Sequence, residues 1–308
     1  MNDAVVQIPM WGWVTFGIAV IVLLAIDHVA HRGERAASRR VALAWSGIWI
    51  AAGLLFNVFV GMVLGPLLAT EYLATYLIEK VMSMDNMFLF LIIFDSLQIP
   101  KESQYRALFW GIVGAVAFRG LLIFLGSQAL AQWQWITYIF GVIILYAAYR
   151  ALRKEPGKNE KSRLVEFLSK RLPITENTHR GQFFARESGY LNATPLLLAL
   201  IAIEITDVMM AVDSVAVAFS MTRNNFVIYT SNVFAILGLR ALYLLLAHTI
   251  TGLRYLHYGL AIVLAFAGIK LLADPIIHIP PLVSVIFTIV AIGTSIGISL
   301  RKQKSRSR

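Results

Sequence analysis

The sequence predicts an all-α polytopic membrane protein of about nine transmembrane helices, six of them forming an inverted three-helix repeat. Three observations lead there. Of the 308 residues, 58% are hydrophobic and only 14% charged, with a mean hydropathy of +0.72, where a soluble domain carries about 25% charged residues. Apolar runs long enough to cross a bilayer recur along the chain. Two separated stretches repeat the same acids and arginines in the same order.

Nine spans are expected, at about 9–27, 41–64, 72–94, 107–128, 134–151, 193–220, 226–249, 256–273 and 280–299. Trp11, Trp13, Trp45, Trp49, Trp133 and Trp135 lie near their ends, as an interfacial aromatic belt would place them. The net charge of +10 reflects topology rather than a nucleic-acid partner, because the basic residues fill short segments between apolar runs. Arg32 to Arg40, Lys101 with Arg106, ten Lys and Arg from Arg150 to Arg186, Arg254, and the tail after Arg301 alternate with loops that hold only Arg223. Positive charge marks the cytoplasmic side. The expectation is a multi-pass membrane protein with its N-terminus outside and its C-terminus in the cytoplasm. The first apolar run lacks a basic leader and a small-residue cleavage site, so it reads as an uncleaved span.

The domain plan follows from the spans. Residues 1–71 hold two helices, 72–151 the first repeat unit, and 152–192 a charged cytoplasmic linker with a short surface helix expected near 160–171. Residues 193–273 form the second unit, and 274–308 the last helix and a basic tail. In the repeat, "EKVMSMDN" at 79–86 aligns with "DVMMAVDS" at 207–214, and "AFRGLLIFLGSQAL" at 117–130 with "GLRALYLLLAHTIT" at 238–251. Glu79 thus matches Asp207, Asp85 matches Asp213, Asn86 matches Ser214, and Arg119 matches Arg240. Three helices per unit is an odd number, so the second unit enters the membrane from the opposite side. Inverted repeats are a common build of secondary transporters, with the substrate site near the midplane where the units meet.

Five acids remain inside spans: Glu79, Asp85, Glu204, Asp207 and Asp213. Each costs roughly 2.5–3.5 kcal/mol at a helix centre, so they must face the interior and be balanced by cations, protons or water. Interhelical polar glue is the bland alternative, but it ordinarily uses Ser, Thr, Asn or Gln. Glu204 and Asp207 share a helix face. Asp85 and Asp213 each lie six residues past an acid, about 120° around the helix. Either the second helix kinks between Glu204 and Asp213, or its acids serve two places along a path; no Gly or Pro lies between 204 and 214. The candidate donors are Glu79, Asp85, Asn86, Glu204, Asp207 and Asp213, supported by Ser83, Thr206, Ser214, Arg119 and Arg240. An all-oxygen set suits a hard cation such as Mn²⁺, Mg²⁺ or Ca²⁺. Met82, Met84, Met87, Met209 and Met210 could favour a soft ion, but Met is ordinary filler at adaptable helix contacts. An oxyanion would be repelled. Arg119 and Arg240 read as latches on the acids or as structural ion pairs. Lys80 and Lys270 read as snorkelling or paired.

No cysteine occurs, which excludes dithiol chemistry by this chain. No phosphate loop and no nucleophile with a base in reach is visible, so no enzyme activity and no organic cofactor is expected. The expected partners are a divalent metal ion and the lipid bilayer, not nucleic acid. The oligomeric state is left open.

"YLIEKVMSMDNMFLF" and "ALIAIEITDVMMAVDSVAVAF" resemble the paired signatures of the TerC family of bacterial membrane proteins, and "SNVFAILGLRALYLLL" and "YGLAIVLAFAGIKLL" resemble its later helices. The likeness covers nearly the whole chain and is nearest to the Alx-type members. It implies Mn²⁺ export or another role in metal homeostasis, with proton exchange on the same carboxylates as one coupling. The alternative is a non-transporting modulator of redox or metal stress, of the tellurite-resistance kind. The family's acidic pattern falls on Glu79, Asp85, Glu204, Asp207 and Asp213. The family's usual Pro after Asp213 is Ala216 here, which removes the Pro kink expected there.

Overall fold

In lipid no water satisfies a free backbone N–H or C=O, so an apolar span must form its hydrogen bonds within itself, as a helix. The computed structural model describes residues 8–30, 39–133, 135–153, 181–187, 190–247, 256–273, 276–277 and 279–306. In chain order it contains α1 (Met10–Ala30), α2 (Arg39–Leu64), α3 (Pro66–Ser96), α4 (Lys101–Gln132) and α5 (Ile136–Arg153). A hairpin of β1 (Phe184–Glu187) and β2 (Tyr190–Ala193) follows. Then come α6 (Pro195–Met221), α7 (Asn225–Ile236), α8 (Leu239–Ala247), α9 (Leu256–Ala273) and α10 (Pro281–Arg306).

All nine expected segments are helical where described. Seven are long and apolar enough to cross a membrane, and His257–Ala273 is a shorter apolar helix. α3 has 31 residues but carries Glu79, Lys80 and Asp85 along its middle. The hairpin in the linker was not anticipated. It leads into Thr194, whose hydroxyl donates to the Gln182 carbonyl at 2.6 Å and accepts from the Leu197 amide at the start of α6. Such an N-cap satisfies one of the amides that a helix start leaves free. The surface helix expected near 160–171 lies outside the described residues.

α6 runs as one continuous helix from Pro195 to Met221, so Glu204 and Asp213 lie on one uninterrupted element. The break comes in the following span instead. There Leu237 and Gly238 interrupt the helix, and Gly238 has a φ of +84°. Broken helices are tolerated at membrane depth only where protein surrounds them. Of the Asn225–Leu245 window, 94% is buried inside the protein, against 44% or less for every other long span.

The packing places α3 against α7 and α4 against α6, while α5 lies along α9 and α3 also touches α6. α2 covers α3 and α8, and α10 covers α3 and α9. α1 joins through Phe16, whose ring lies 6.0 Å from Phe56, 6.2 Å from Phe226 and 6.2 Å from Phe234. α3, α6 and α7 are therefore the inner helices.

Gly238 is required twice over. Its φ belongs to the left-handed region, and a Cβ there would sit 2.4 Å from Cγ of buried Trp49 on α2. A side chain in that conformation costs about 1–2 kcal/mol before the clash is counted. Gly238→Ala should lower the melting temperature of the purified protein by more than Gly293→Ala, where the added Cβ meets nothing. Thermal unfolding in detergent checks this.

Candidate functional site

The inner face of α3 presents Glu79 and Ser83 one turn apart, both buried. α6 presents Asp207 and Ser214, seven residues and two turns apart, on the face toward α4. α4 brings Arg119, only 1% exposed, between them. Its Nη1 donates to Glu79 Oε2, to Asn232 Oδ1 on α7 at 2.7 Å and to Ser214 Oγ at 3.3 Å. Its Nη2 reaches Asp207 Oδ1 at 3.5 Å. One guanidinium thus ties α3, α4, α6 and α7, using the planar fork that suits Arg to such a node. The two acids it joins, Glu79 and Asp207, are the pair that the sequence alignment of 79–86 with 207–214 matches.

Lys80, the next residue of α3, points another way. Its Nζ donates to the carbonyls of Ala235 at 3.0 Å and Leu237 at 3.3 Å. It is buried and does not snorkel. Glu79, Asp207, Arg119 and Lys80 carry two formal charges of each sign, so this layer is neutral as a set. Neutrality matters where the low dielectric makes an uncompensated charge costly.

Glu204 stands apart from that balance. It is half-buried one turn before Asp207, against α4 at Gly114. A Cβ at Gly114 would lie 2.0 Å from Glu204 Oε1, so the absent side chain is what lets the carboxylate approach α4. Among the described residues Glu204 has no basic partner. Glu204 Oε2, Asp207 Oδ2, Glu79 Oε1 and Ser83 Oγ are buried without a protein hydrogen-bond partner. Buried polar atoms are ordinarily satisfied, so such a group of acceptors calls for an explanation. Thr206 is buried beside Asp207.

Asp213 lies on a different face. With Met210 it lines a cleft of about 50 Å³, shared with Met82 and Asn86 of α3, Ala147, Arg150 and Ala151 of α5, and Leu260 and Leu264 of α9. That volume holds a few waters at about 10–15 Å³ each. Arg150 is exposed at the mouth and is the charged neighbour of Asp213. The acids of α6 therefore serve two places. Asp85 lies on α3, and its side chain is outside the described set. Among the described residues no three His, Asp or Glu side chains come together closely enough to hold a metal ion.

Arg240 does not hold the acids. Its Nη1 donates to Asp27 Oδ2 at 2.5 Å, and its guanidinium lies 5.7 Å from the Phe109 ring centroid. The Arg240 pair fastens α1 to α8, outside the acidic set. Lys270 is likewise buried, with Nζ donating to Ser284 Oγ on α10 at 3.1 Å. Asn232, Asp27 and the two carbonyls at the break are the parts that sequence reasoning missed. Asn232 had a visible signal, as a carboxamide deep in an apolar run; Asp27 is the last residue of the first expected span, 9–27.

These features define a polytopic helical membrane protein with a charged, hydrogen-bonded interior. The chain matches the family described as "Integral membrane protein TerC family" over residues 64–307, and it belongs to that family. It is 39% identical to the "Putative membrane-bound redox modulator Alx" of Escherichia coli K12, over 96% of this chain and 97% of that protein. It is 37% identical to "Uncharacterized membrane protein STKORF319" of Myxococcus xanthus, over 95% of this chain and 92% of that one. An uncharacterized membrane protein of Rickettsia bellii is 36% identical over 90% of this chain and 93% of its own length. No solved structure matches the chain.

Removing Arg119 leaves two buried carboxylates without their cation. Breaking a buried pair in this way costs about 3–5 kcal/mol. Arg119→Ala should lower thermal stability sharply, and Arg119→Lys only partly restore it, since one ammonium cannot span the four partners. Asp27→Asn, Arg240→Gln and the double variant should show a coupling of about 0.5–3 kcal/mol in unfolding experiments.

Proposed function

We propose that the protein carries a divalent cation out of the cytoplasm, binding it on carboxylates that Arg119 holds in place. The observation that carries this reading is the Glu204–Asp207 pair. Two acids three apart on one helix face each have a buried oxygen without a protein partner, and Glu204 has no basic neighbour among the described residues. A cation entering there gains two carboxylates without displacing a lysine or arginine from Glu204. Glu79 Oε1 and Ser83 Oγ are further buried oxygens without a protein partner, on α3.

The donors are all oxygen, which suits a hard cation. Mn²⁺ is the ion, and export the direction, that the family resemblance implies. The cleft at Asp213 and Asn86, with exposed Arg150 as its countercharge, is a second place for the cation along its path. A proton can take the cation's place on these carboxylates when the site is emptied, so exchange of metal for protons is the coupling we favour. No covalent chemistry is involved, and the chain acts as a carrier rather than an enzyme. Its place is the bacterial inner membrane, N-terminus outside and C-terminus inside, as the loop charges indicate.

The helix packing is what the expected inverted repeat would produce. α3 packs on α7 as α6 packs on α4, and α5 on α9, which is the exchange that a two-fold relation of the units would produce. The matched acids Glu79 and Asp207 meet on one arginine. The printed name of the Alx relatives favours a second reading, a redox modulator. With no cysteine in the chain, that effect would be indirect, through metal balance.

Proteoliposomes loaded with a Mn²⁺-sensitive dye discriminate the two. Wild-type protein should pass Mn²⁺. Glu204→Gln and Asp213→Asn should each slow the flux at least about tenfold, the loss of about 1.4 kcal/mol. Met209→Leu, at a residue 64% exposed toward lipid, should leave it unchanged. Absence of flux from wild-type protein would sink the transport reading.

A further inference from the structure

The break in the seventh span poses a problem that lipid cannot solve. A helix end leaves its last carbonyls without amide partners. In most helices water or a cap completes them, but residues 225–245 are almost wholly enclosed by protein. α7 ends at Ile236, and the Leu237 amide closes back on the Val233 carbonyl at 2.9 Å. The carbonyls of Ala235 and Leu237 accept instead from Lys80 Nζ. The ammonium is 8% exposed as a residue and lies 5.9 Å from the Tyr76 ring centroid, within the range of a cation–π contact. The negative end of the α7 dipole, worth about half an elementary charge, faces it. Among the described side chains no carboxylate pairs with it.

Two carbonyl oxygens at about 3 Å, an aromatic face and a helix C-terminus make the surroundings of a bound cation rather than of a salt bridge. In secondary transporters unwound carbonyls and half-helix C-terminal ends coordinate Na⁺ or H⁺. We infer that the Ala235 and Leu237 carbonyls form a monovalent-cation site that the chain fills with the ammonium of its own Lys80. The occupant is tethered to α3, so the break is held whether or not sodium or potassium is present. Because Glu79 precedes Lys80, the same turn of α3 that meets Arg119 also carries the cation of the break. Gly238, with its φ of +84°, directly follows the Leu237 carbonyl at the break. The inference stands on this geometry and does not depend on which ion, if any, the protein transports.

Chemical rescue tests it. Lys80→Ala removes the ammonium and its stem and opens room beside the carbonyls; Lys80→Met keeps the bulk and removes the charge. Melting temperatures of purified wild type and both variants are measured in choline, sodium, potassium, methylammonium and ethylammonium chlorides. Both variants should be less stable than wild type in choline. Lys80→Ala should recover stability saturably with ethylammonium, less with methylammonium and the metal ions. Lys80→Met should not recover, and wild type should respond to none of the salts. If Lys80→Ala folds only when purified in ethylammonium, that also supports the site. Lys80→Met as stable as wild type, or Lys80→Ala that no cation restores or recovers in folded form, would overturn it. No flux is measured, so the outcome is independent of the transport reading.

Discussion

The interior depends on one buried guanidinium. Arg119 meets Glu79, Asp207, Asn232 and Ser214, which come from three other helices. In a bilayer the hydrophobic effect does not drive helices together, because lipid is as apolar as the side chains. Specific register must come from packing and from polar contacts such as these. A single arginine touching both halves of the chain fixes where α3 and α6 stand relative to each other. That in turn fixes where Glu204 and Asp213 open.

The unbroken α6 and the broken seventh span divide the work. On one continuous helix Glu204 and Asp213 face different ways, so the chain has an inner carboxylate layer and a separate cleft. Irregular backbone is placed elsewhere, at Leu237 and Gly238, where surrounding helices enclose it and Lys80 supplies the missing donor. The charges of the inner layer balance in place, and Glu204 is the acid left over. An acid without a basic partner, next to unsatisfied oxygens, is where a mobile cation or proton gains most.

Much of this was legible in the sequence. Hydropathy placed the helices because the bilayer leaves the backbone few choices. The cost of an intramembrane acid picked out Glu79, Glu204, Asp207 and Asp213, and the helical period put Glu204 with Asp207 and apart from Asp213. What was not legible depended on three-dimensional neighbours. Arg119 and Arg240 align in sequence, yet one meets the acids while the other reaches Asp27 in α1. Lys80 read as snorkelling or paired with no partner named, because its carbonyl partners lie more than 150 positions away. The hairpin at 184–193 hid in a charged linker, where no periodicity announces four-residue strands.

The central claim is that a divalent cation occupies carboxylates of the Arg119 layer, with Glu204 as its anchor. Free Mn²⁺ gives a sharp paramagnetic resonance that is lost on binding, so titrating detergent-purified protein with Mn²⁺ counts bound ions directly. Wild-type protein should bind Mn²⁺ saturably, and Glu204→Gln of equal thermal stability should bind it at least about tenfold more weakly, equivalent to about 1.4 kcal/mol. Equal binding by the two proteins would contradict the claim.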